Sequence, residues 1–279
     1  KFSIPKSGMS TTDNVRFLRQ WFEIPHREIA IDIKSQDEAK NTALKWYPYN
    51  KGGGIRWICE IEHVVNWQDN GKEIKEWVVS NPRDPKTTHW SRRVFNDEYF
   101  FKEGLTWGDV SSGSISVKKL NAGFIFDSVG IGLYNLNKNE EYFIYKKKKK
   151  VGAFFLKLFC PTIHFNPGGV GKLPVIINEK FYFPIKMIVE ENIELSKKYW
   201  DHNETSWDFK HHLLLEYGKN TLGKNYNQWL QEATKQFYQL HANEEELNRI
   251  FIDIYSLNEE LDPVVPLKDI TILQEELDR

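Results

Sequence analysis

The stretch Phe101–Asp127, FKEGLTWGDVSSGSISVKKLNAGFIFD, decides the reading of this chain, because its apolar residues lie between clusters of small hydroxyl residues and a pair of lysines. Tyr99-Phe100-Phe101 leads through Gly104 to Leu105-Thr106-Trp107. Ser111, Ser112, Gly113 and Ser114 then make a turn cluster, after which Ile115 and Val117 alternate with polar neighbours. The pattern predicts two short strands joined by an adaptable polar loop. Such a loop suits contact: hydroxyls donate and accept, Lys118 and Lys119 are cations, and Trp107 offers a flat surface for stacking or packing. The plain alternative is an ordinary hairpin with solvated serines.

Composition bounds what this stretch can belong to. With 279 residues, 40% hydrophobic and 28% charged, the chain reads as soluble and globular, one large domain or two medium ones. No charged region followed by an apolar run and a small-residue cleavage site lies near Lys1, so a secretion signal is not expected. No apolar run approaches the roughly 18 residues of a membrane span. Two cysteines, Cys59 and Cys160, are too few for a secreted disulfide framework or a zinc site. A cytoplasmic chain with no membrane partner is the simplest expectation.

The net charge of −1 hides segregation. Residues 1–187 hold 29 Lys and Arg against 20 Asp and Glu, whereas residues 188–279 hold 9 against 19. A polyanion would therefore sit on the first part, since phosphate neutralisation dominates nucleic-acid affinity. Five of the positive charges form the run Lys146–Lys150, which covers every face of a helix and is expected to be a loop.

Upstream, Gly8 and the cluster Ser10-Thr11-Thr12-Asp13 precede an apolar, basic segment, with Thr12 or Asp13 as a helix N-cap. Lys45-Trp46-Tyr47-Pro48-Tyr49-Asn50-Lys51 is an aromatic, basic strand running into Gly52-Gly53-Gly54, then Arg56. Glycines there permit a sharp turn or close approach of a partner. The loop lacks the Gly-Lys-Ser/Thr ending of a P-loop, which argues against nucleotide hydrolysis. An alternating strand through Val64-Val65-Asn66-Trp67 follows, with Asp69-Asn70-Gly71 as a turn. From Ile74 to Tyr99, Asn81-Pro82 and Asp84-Pro85 break regular structure, and Arg83, Lys86, Arg92 and Arg93 make a basic surface.

Several of these segments carry a resemblance. GLTWGDVSSGSIS with GFIFD is similar to the target-recognition region of BREX-type, PglX-like adenine-specific DNA methyltransferases, related to the specificity regions of single-chain restriction-modification enzymes. Gly8, Thr11 or Thr12, Asn14, Phe17 and Arg19 fit that family's opening pattern, and WYPYNKGG its early strand. The stretch Asn166-Pro167 through Leu173-Pro174 resembles its closing motif, and Glu190–Asp201 with Glu204-Thr205-Ser206-Trp207-Asp208-Phe209 its connector. The resemblance runs from about Gly8 to Ile272. It implies a module that binds double-stranded DNA in a phage-defence or restriction-modification enzyme, working with an N-terminal catalytic domain that uses S-adenosylmethionine.

The catalytic half itself is not expected in this chain. Ser128-Val129-Gly130-Ile131-Gly132 is only a weak match to a cofactor loop. The Asn/Asp-Pro-Pro-Tyr/Phe tetrapeptide that clamps the adenine in the resembled enzymes does not occur, as Asn81-Pro82-Arg83-Asp84 shares only its first two residues. No Gly-x-Ser-x-Gly pattern marks a nucleophile. His164 beside Phe165 reads as a packed or hydrogen-bonded histidine, and the adjacent His211-His212 are not spaced for one helix face. No catalytic, cofactor-binding or metal site is expected, and the chain alone is expected to be inactive.

After Met187 helical periodicity takes over. Tyr226, Trp229, Leu230, Ala233, Phe237 and Leu240 recur at three- and four-residue steps. Asn243 then reads as the cap of a second helix opening on Glu244, Glu245 and Glu246 and carrying the stripe Leu247, Ile250, Phe251, Ile254 and Leu257. The pair would form a hairpin or spacer. Val151–Phe159 is a further apolar helix, and Ser206 with its aromatic neighbours reads as a docked connector.

The expected fold is therefore α+β: a mixed, twisted-sheet recognition domain over 1–187 and a mainly α-helical connector or spacer domain over 188–279. Lys51, Arg56, Arg92, Arg93, Lys118 and Lys119 are expected to meet phosphates or bases, and Thr106, Ser111, Ser112 and Ser114 to reach base edges. A noncatalytic scaffold or immunity protein that binds protein through its aromatic surface is the competing class, separable by DNA binding.

Overall fold

The computed structural model describes residues 5–52, 57–109, 115–134, 136, 150–160, 164–217 and 221–270. Its strands, in chain order, are β1 (Pro5–Lys6), β2 (Leu18–Gln20), β3 (Trp46–Asn50), β4 (His63–Asn66), β5 (Gly104–Gly108), β6 (Lys118–Leu120), β7 (Ile125–Phe126) and β8 (Gly130–Leu133). The helices are α1 (Asn14–Phe17), α2 (Gln36–Asn41), α3 (Gln68–Ser80), α4 (Lys150–Phe159), α5 (Pro167–Val170), α6 (Glu179–Asp201) and α7 (Leu222–Ile254). The expected α+β class, with a helical C-terminal part, is what the chain adopts. No helix among the described residues is long and apolar enough to cross a membrane.

Two four-stranded sheets form. One, in the order β1-β8-β5-β6, is antiparallel throughout, and the other, β2-β4-β3-β7, adds β7 parallel to β3. The strands expected on either side of the serine cluster are β5 and β6, in the register Leu105↔Lys119 and Thr106↔Lys118. The second sheet buries Tyr47, Tyr49, Trp67, Phe100, Phe101 and Phe126 in one core with Ile74 and Val78 of α3. Trp67 and Phe100, and Phe100 and Phe126, meet edge to face with centroids 5.2 Å apart, the arrangement the ring quadrupole favours.

Local chemistry explains the element ends. Asp13, one of the two expected caps, accepts the Arg16 N–H at the start of α1. The Asp69-Asn70-Gly71 turn is present as three consecutive left-handed residues, φ 52°, 59° and 69°, folded into the start of α3. Only glycine serves at the third position, because a Cβ there would lie 2.4 Å from the Trp67 ring.

The helical part departs from expectation in two ways. Residues 225–257 do not hold two helices, because α7 runs unbroken for 33 residues through Asn243. Asn243 is buried instead of capping: its Nδ2 donates to Asn192 Oδ1 and to Glu191 Oε2 of α6, both at 2.8 Å. The glutamates that resembled a first turn are spent similarly, Glu245 accepting the Val265 N–H and Glu246 pairing with Arg249. Second, the expected boundary at Met187 falls inside α6, which is already helical from Glu179. One core joins Leu105, Trp107 and Ile131 of the first sheet to Val189 of α6 and Phe237 of α7, so sheet and helices share apolar packing across that cut.

The connector after α6 is docked, as its residues suggested. Ser206 is buried and donates to Asp201 Oδ1 at 3.0 Å, Trp21 donates its indole N–H to the Thr205 carbonyl at 3.0 Å, and Trp207 stacks on His26 with centroids 4.3 Å apart. Val151–Phe159 lies within α4, whose first residue, Lys150, pairs with Asp262. The rest of the lysine run lies outside the described residues.

Candidate nucleic-acid interface

The hairpin β5–β6 organises the candidate surface by bringing the roots of two loops together. The glycine loop leaves at Gly52, φ 69°, where a Cβ would lie 2.8 Å from the Val129 carbonyl, 2.9 Å from Gly130 Cα and 3.0 Å from Gly108 Cα. Three backbones meet there at a spacing only glycines permit. Gly108 is the last residue of β5, so the serine segment 110–114 departs from the same point. The far end of the glycine loop returns beside β6: Lys119 N–H donates to Trp57 O at 3.1 Å and Cys59 N–H to Lys119 O at 3.0 Å. Segments 53–56 and 110–114 thus leave from neighbouring roots, and the chain after the glycine loop returns beside β6, although Arg56, Ser111, Ser112 and Ser114 themselves lie outside the described residues.

The expected contact residues do not all face outward. Lys51 is half-buried at the Gly52 root, Arg92 is exposed, and Lys119 is exposed on the edge strand β6. Arg93 is half-buried and bound to Asp84, whose carboxyl is held below its ordinary range by that hydrogen bond and a second from Thr87. The Arg92–Arg93 turn is fixed to the opening segment by Ser10 N–H donating to Arg93 O at 2.7 Å.

Thr106 and Lys118, cross-strand partners, are inside. Thr106 Oγ1 accepts from Asn50 Nδ2 at 2.6 Å and donates to Ile131 O at 3.0 Å, tying β3 of one sheet to β5 and β8 of the other. With 1% of its surface exposed, it cannot reach a base edge in this arrangement. The Lys118 ammonium lies 3.7 Å from the Glu60 carboxylate, with side chains 7% and 2% exposed, so its charge is neutralised within the fold. The physical reason is the pleat: successive strand residues point to opposite faces, so the adjacent lysines 118 and 119 never act together.

Sequence reasoning missed the polar groups that hold these roots. Asn50 also accepts the Gly52 N–H at 2.9 Å, and Tyr49 Oη donates to Asp127 Oδ2 at 3.0 Å. Burial and the neighbouring Asp127 carboxylate push the Tyr49 hydroxyl well above its ordinary pKa, so it stays a donor. Position two residues before a glycine was the available signal for Asn50, since Asn side chains commonly bind the backbone two residues on. His164 is hydrogen-bonded, as its sequence context suggested: Nδ1 lies 2.9 Å from Asp109 Oδ2 at the serine-loop root.

Burial pushes the Cys59 thiol up to about 12, which leaves it inert. Among the described residues, no group of three His, Cys, Asp or Glu could hold a metal. The glycine segment after Asp127 does not fit S-adenosylmethionine: Gly130–Leu133 is β8, paired with β1 and β5 instead of opening a helix, and a Cβ on Gly130 would lie 2.6 Å from the Asn50 carbonyl.

Over 283 aligned residues the chain is 35% identical to the adenine-specific methyltransferase PglX of Lacticaseibacillus casei (strain Zhang), a match covering 98% of this chain and 23% of that protein. The chain is homologous to adenine-specific methyltransferases. BrxX of Escherichia coli O9:H4 (strain HS), likewise an adenine-specific methyltransferase, is 30% identical over 253 residues, covering 88% of this chain and 19% of its own length. The chain therefore spans about a quarter or less of these relatives. No family model matches it. Its fold is that of part of the type IIL restriction-modification enzyme MmeI, solved in complex with DNA: TM-score 0.52 and 13% identity, covering all of this chain and 35% of that one.

Proposed function

We propose that this chain is the DNA sequence-recognition module of an adenine-N6 DNA methyltransferase, and that the catalytic domain and its S-adenosylmethionine belong to the remainder of the enzyme. The observation that carries the reading is the shared root of segments 53–56 and 110–114, on a chain homologous over 98% of its length to a methyltransferase of which it covers 23%. The similarity in fold to an enzyme solved with DNA supports it. In this reading the two-sheet part is the recognition domain and the helical part is a spacer.

Lys51, Arg56, Arg92, Arg93 and Lys119 would supply phosphate or base contacts, and Ser111, Ser112 and Ser114 the base edges. Thr106 and Lys118 would act from inside by fixing the hairpin that carries the serine loop. Phosphate contacts position a protein on the duplex, and base contacts select sequence. The test is photocrosslinking of the full-length enzyme to bromouracil-substituted duplex, followed by peptide mapping. Crosslinks within residues 51–58 and 109–119 are expected, and crosslinks confined to regions outside this chain would defeat the proposal.

A further inference from the structure

Arg16 and Arg19 lie three residues apart and use opposite parts of the same head group. The Nε–Nη2 edge of Arg16 is filled by Glu73 Oε1, at 3.1 and 2.8 Å. Arg19 is held through its remaining nitrogen: Nη1 donates to the Val15 carbonyl at 2.7 Å and the Leu18 carbonyl at 2.6 Å. Its own Nε–Nη2 edge, the fork that matches a carboxylate or a phosphate, meets no carboxylate among the described residues. Two main-chain carbonyls thus fix the guanidinium in advance, so little rotamer freedom is left to lose on binding an anion.

A second cation shares the place. The Arg19 guanidinium carbon and Lys45 Nζ each lie 5.6 Å from the centroid of the Trp46 ring. Trp46 is buried in β3, paired with Asn66 of β4 and bonded through its carbonyl to the Ala30 N–H, so the indole is a fixed seat for both charges. Lys45 is exposed and has no ion pair among the described residues. The Glu73 carboxylate, which feels the Lys45 charge, is already taken by Arg16 and by Asn66 Nδ2 at 2.7 Å. Elsewhere in the sheets Lys118 is neutralised by Glu60 and Arg93 by Asp84. Arg19 and Lys45 are therefore two like charges gathered on one ring with an open anion-binding edge, an arrangement that an added phosphodiester would stabilise.

We propose that Arg19 and Lys45, seated on Trp46, bind the DNA backbone at a phosphate outside the bases that the two loops read. The inference rests on the recognition reading above. Lys45 and Lys51 bracket β3. Six residues of strand span roughly 20 Å, about six base-pair steps of duplex. A duplex running along β3 from the Gly52 root would meet Arg19 and Lys45 several base pairs away, where a backbone contact positions the protein without selecting sequence.

The experiment is anisotropy titration of the full-length enzyme with duplexes carrying or lacking its methylation motif, across a salt series, for the wild type, Lys45→Gln, Arg19→Gln and Arg19→Lys. Lys45→Gln and Arg19→Gln should each reduce the log–log salt slope by roughly 0.9 and weaken both duplexes by the same factor, with the methylated motif unchanged. Arg19→Lys keeps the charge and should keep the slope. Lys45 is exposed, so Lys45→Gln keeps the fold even if loss of the Arg19 carbonyl bonds lowers stability. An unchanged slope in Lys45→Gln, or a loss confined to the motif-bearing duplex, would overturn the contact. So would weaker binding at an unchanged slope, which would set these residues against another part of the enzyme instead of DNA. Photocrosslinks within residues 51–58 and 109–119 that persist while the slope stays unchanged would fell this contact and leave the recognition reading standing. Their absence in the wild type would fell that reading itself.

Discussion

Replacing the neighbouring lysines 118 and 119 one at a time separates what holds the fold from what meets DNA. Lys118 and Glu60 are a buried pair, 7% and 2% exposed and 3.7 Å apart, so solvent screening does little to reduce their interaction. Lys118→Met leaves the Glu60 carboxylate buried without its ammonium. Breaking such a pair from one side costs about 3–5 kcal/mol, and the long separation favours the lower figure. For a chain of this size, about 3 kcal/mol lowers the melting temperature by roughly 6–12 °C. Adding Glu60→Leu to the same variant removes the buried carboxylate as well and should recover most of the loss, because an apolar replacement of a buried pair is often neutral. Lys119→Met, on the exposed edge, should shift stability by less than about 0.5 kcal/mol. In the full-length enzyme it should reduce the log–log salt slope of DNA binding by about one. Calorimetric melting and binding across a salt series read both arms. The reasoning would be refuted if Lys118→Met melted like the wild type while Lys119→Met unfolded the protein.

Gly71→Ala should destabilise by at least about 1 kcal/mol in urea unfolding, because φ is 69° and the new Cβ would strike the Trp67 ring; a neutral result would mean the left-handed turn relaxes freely. Asn243→Ala should cost about 1–3 kcal/mol by leaving Asn192 and Glu191 without their buried donor, whereas a helix cap at that position would predict a break in α7 that hydrogen exchange would reveal. The Arg16 hydrogen bond, helped by Asn66, holds the Glu73 carboxyl below its ordinary 4.5. Its stabilisation is therefore complete above about pH 4.5 and lost as pH falls through the depressed value, so Arg16→Gln should lower stability at neutral pH and flatten the acid limb of the stability curve. An unchanged acid limb would show that the exposed Arg16–Glu73 pair contributes nothing.

What was legible in the sequence was mostly local. The alternation around Gly104–Leu120, the Asp69-Asn70-Gly71 turn and the Asp13 cap each rest on neighbours within a few residues, and each is present. Asn243 misled because a polar residue before three glutamates is a cap signature, while its partners sit on α6, some fifty residues away. Thr106 and Lys118 misled for a related reason. Hydroxyl and ammonium groups suggest a surface, and nothing nearby in sequence discloses that Asn50 and Glu60 will meet them inside. The convergence of Gly52, Gly108 and Gly130 was equally invisible, because it depends on the end of β3 in one sheet meeting β5 and β8 in the other.

The most direct test of the central claim is to exchange segments 53–56 and 110–114 of the full-length methyltransferase for those of a homologue that methylates a different sequence, and to map methylated adenines across a host genome by modified-base sequencing. If this chain reads DNA, adenine methylation persists while the methylated motif changes. Methylation continuing at the original motif after both exchanges would contradict the account.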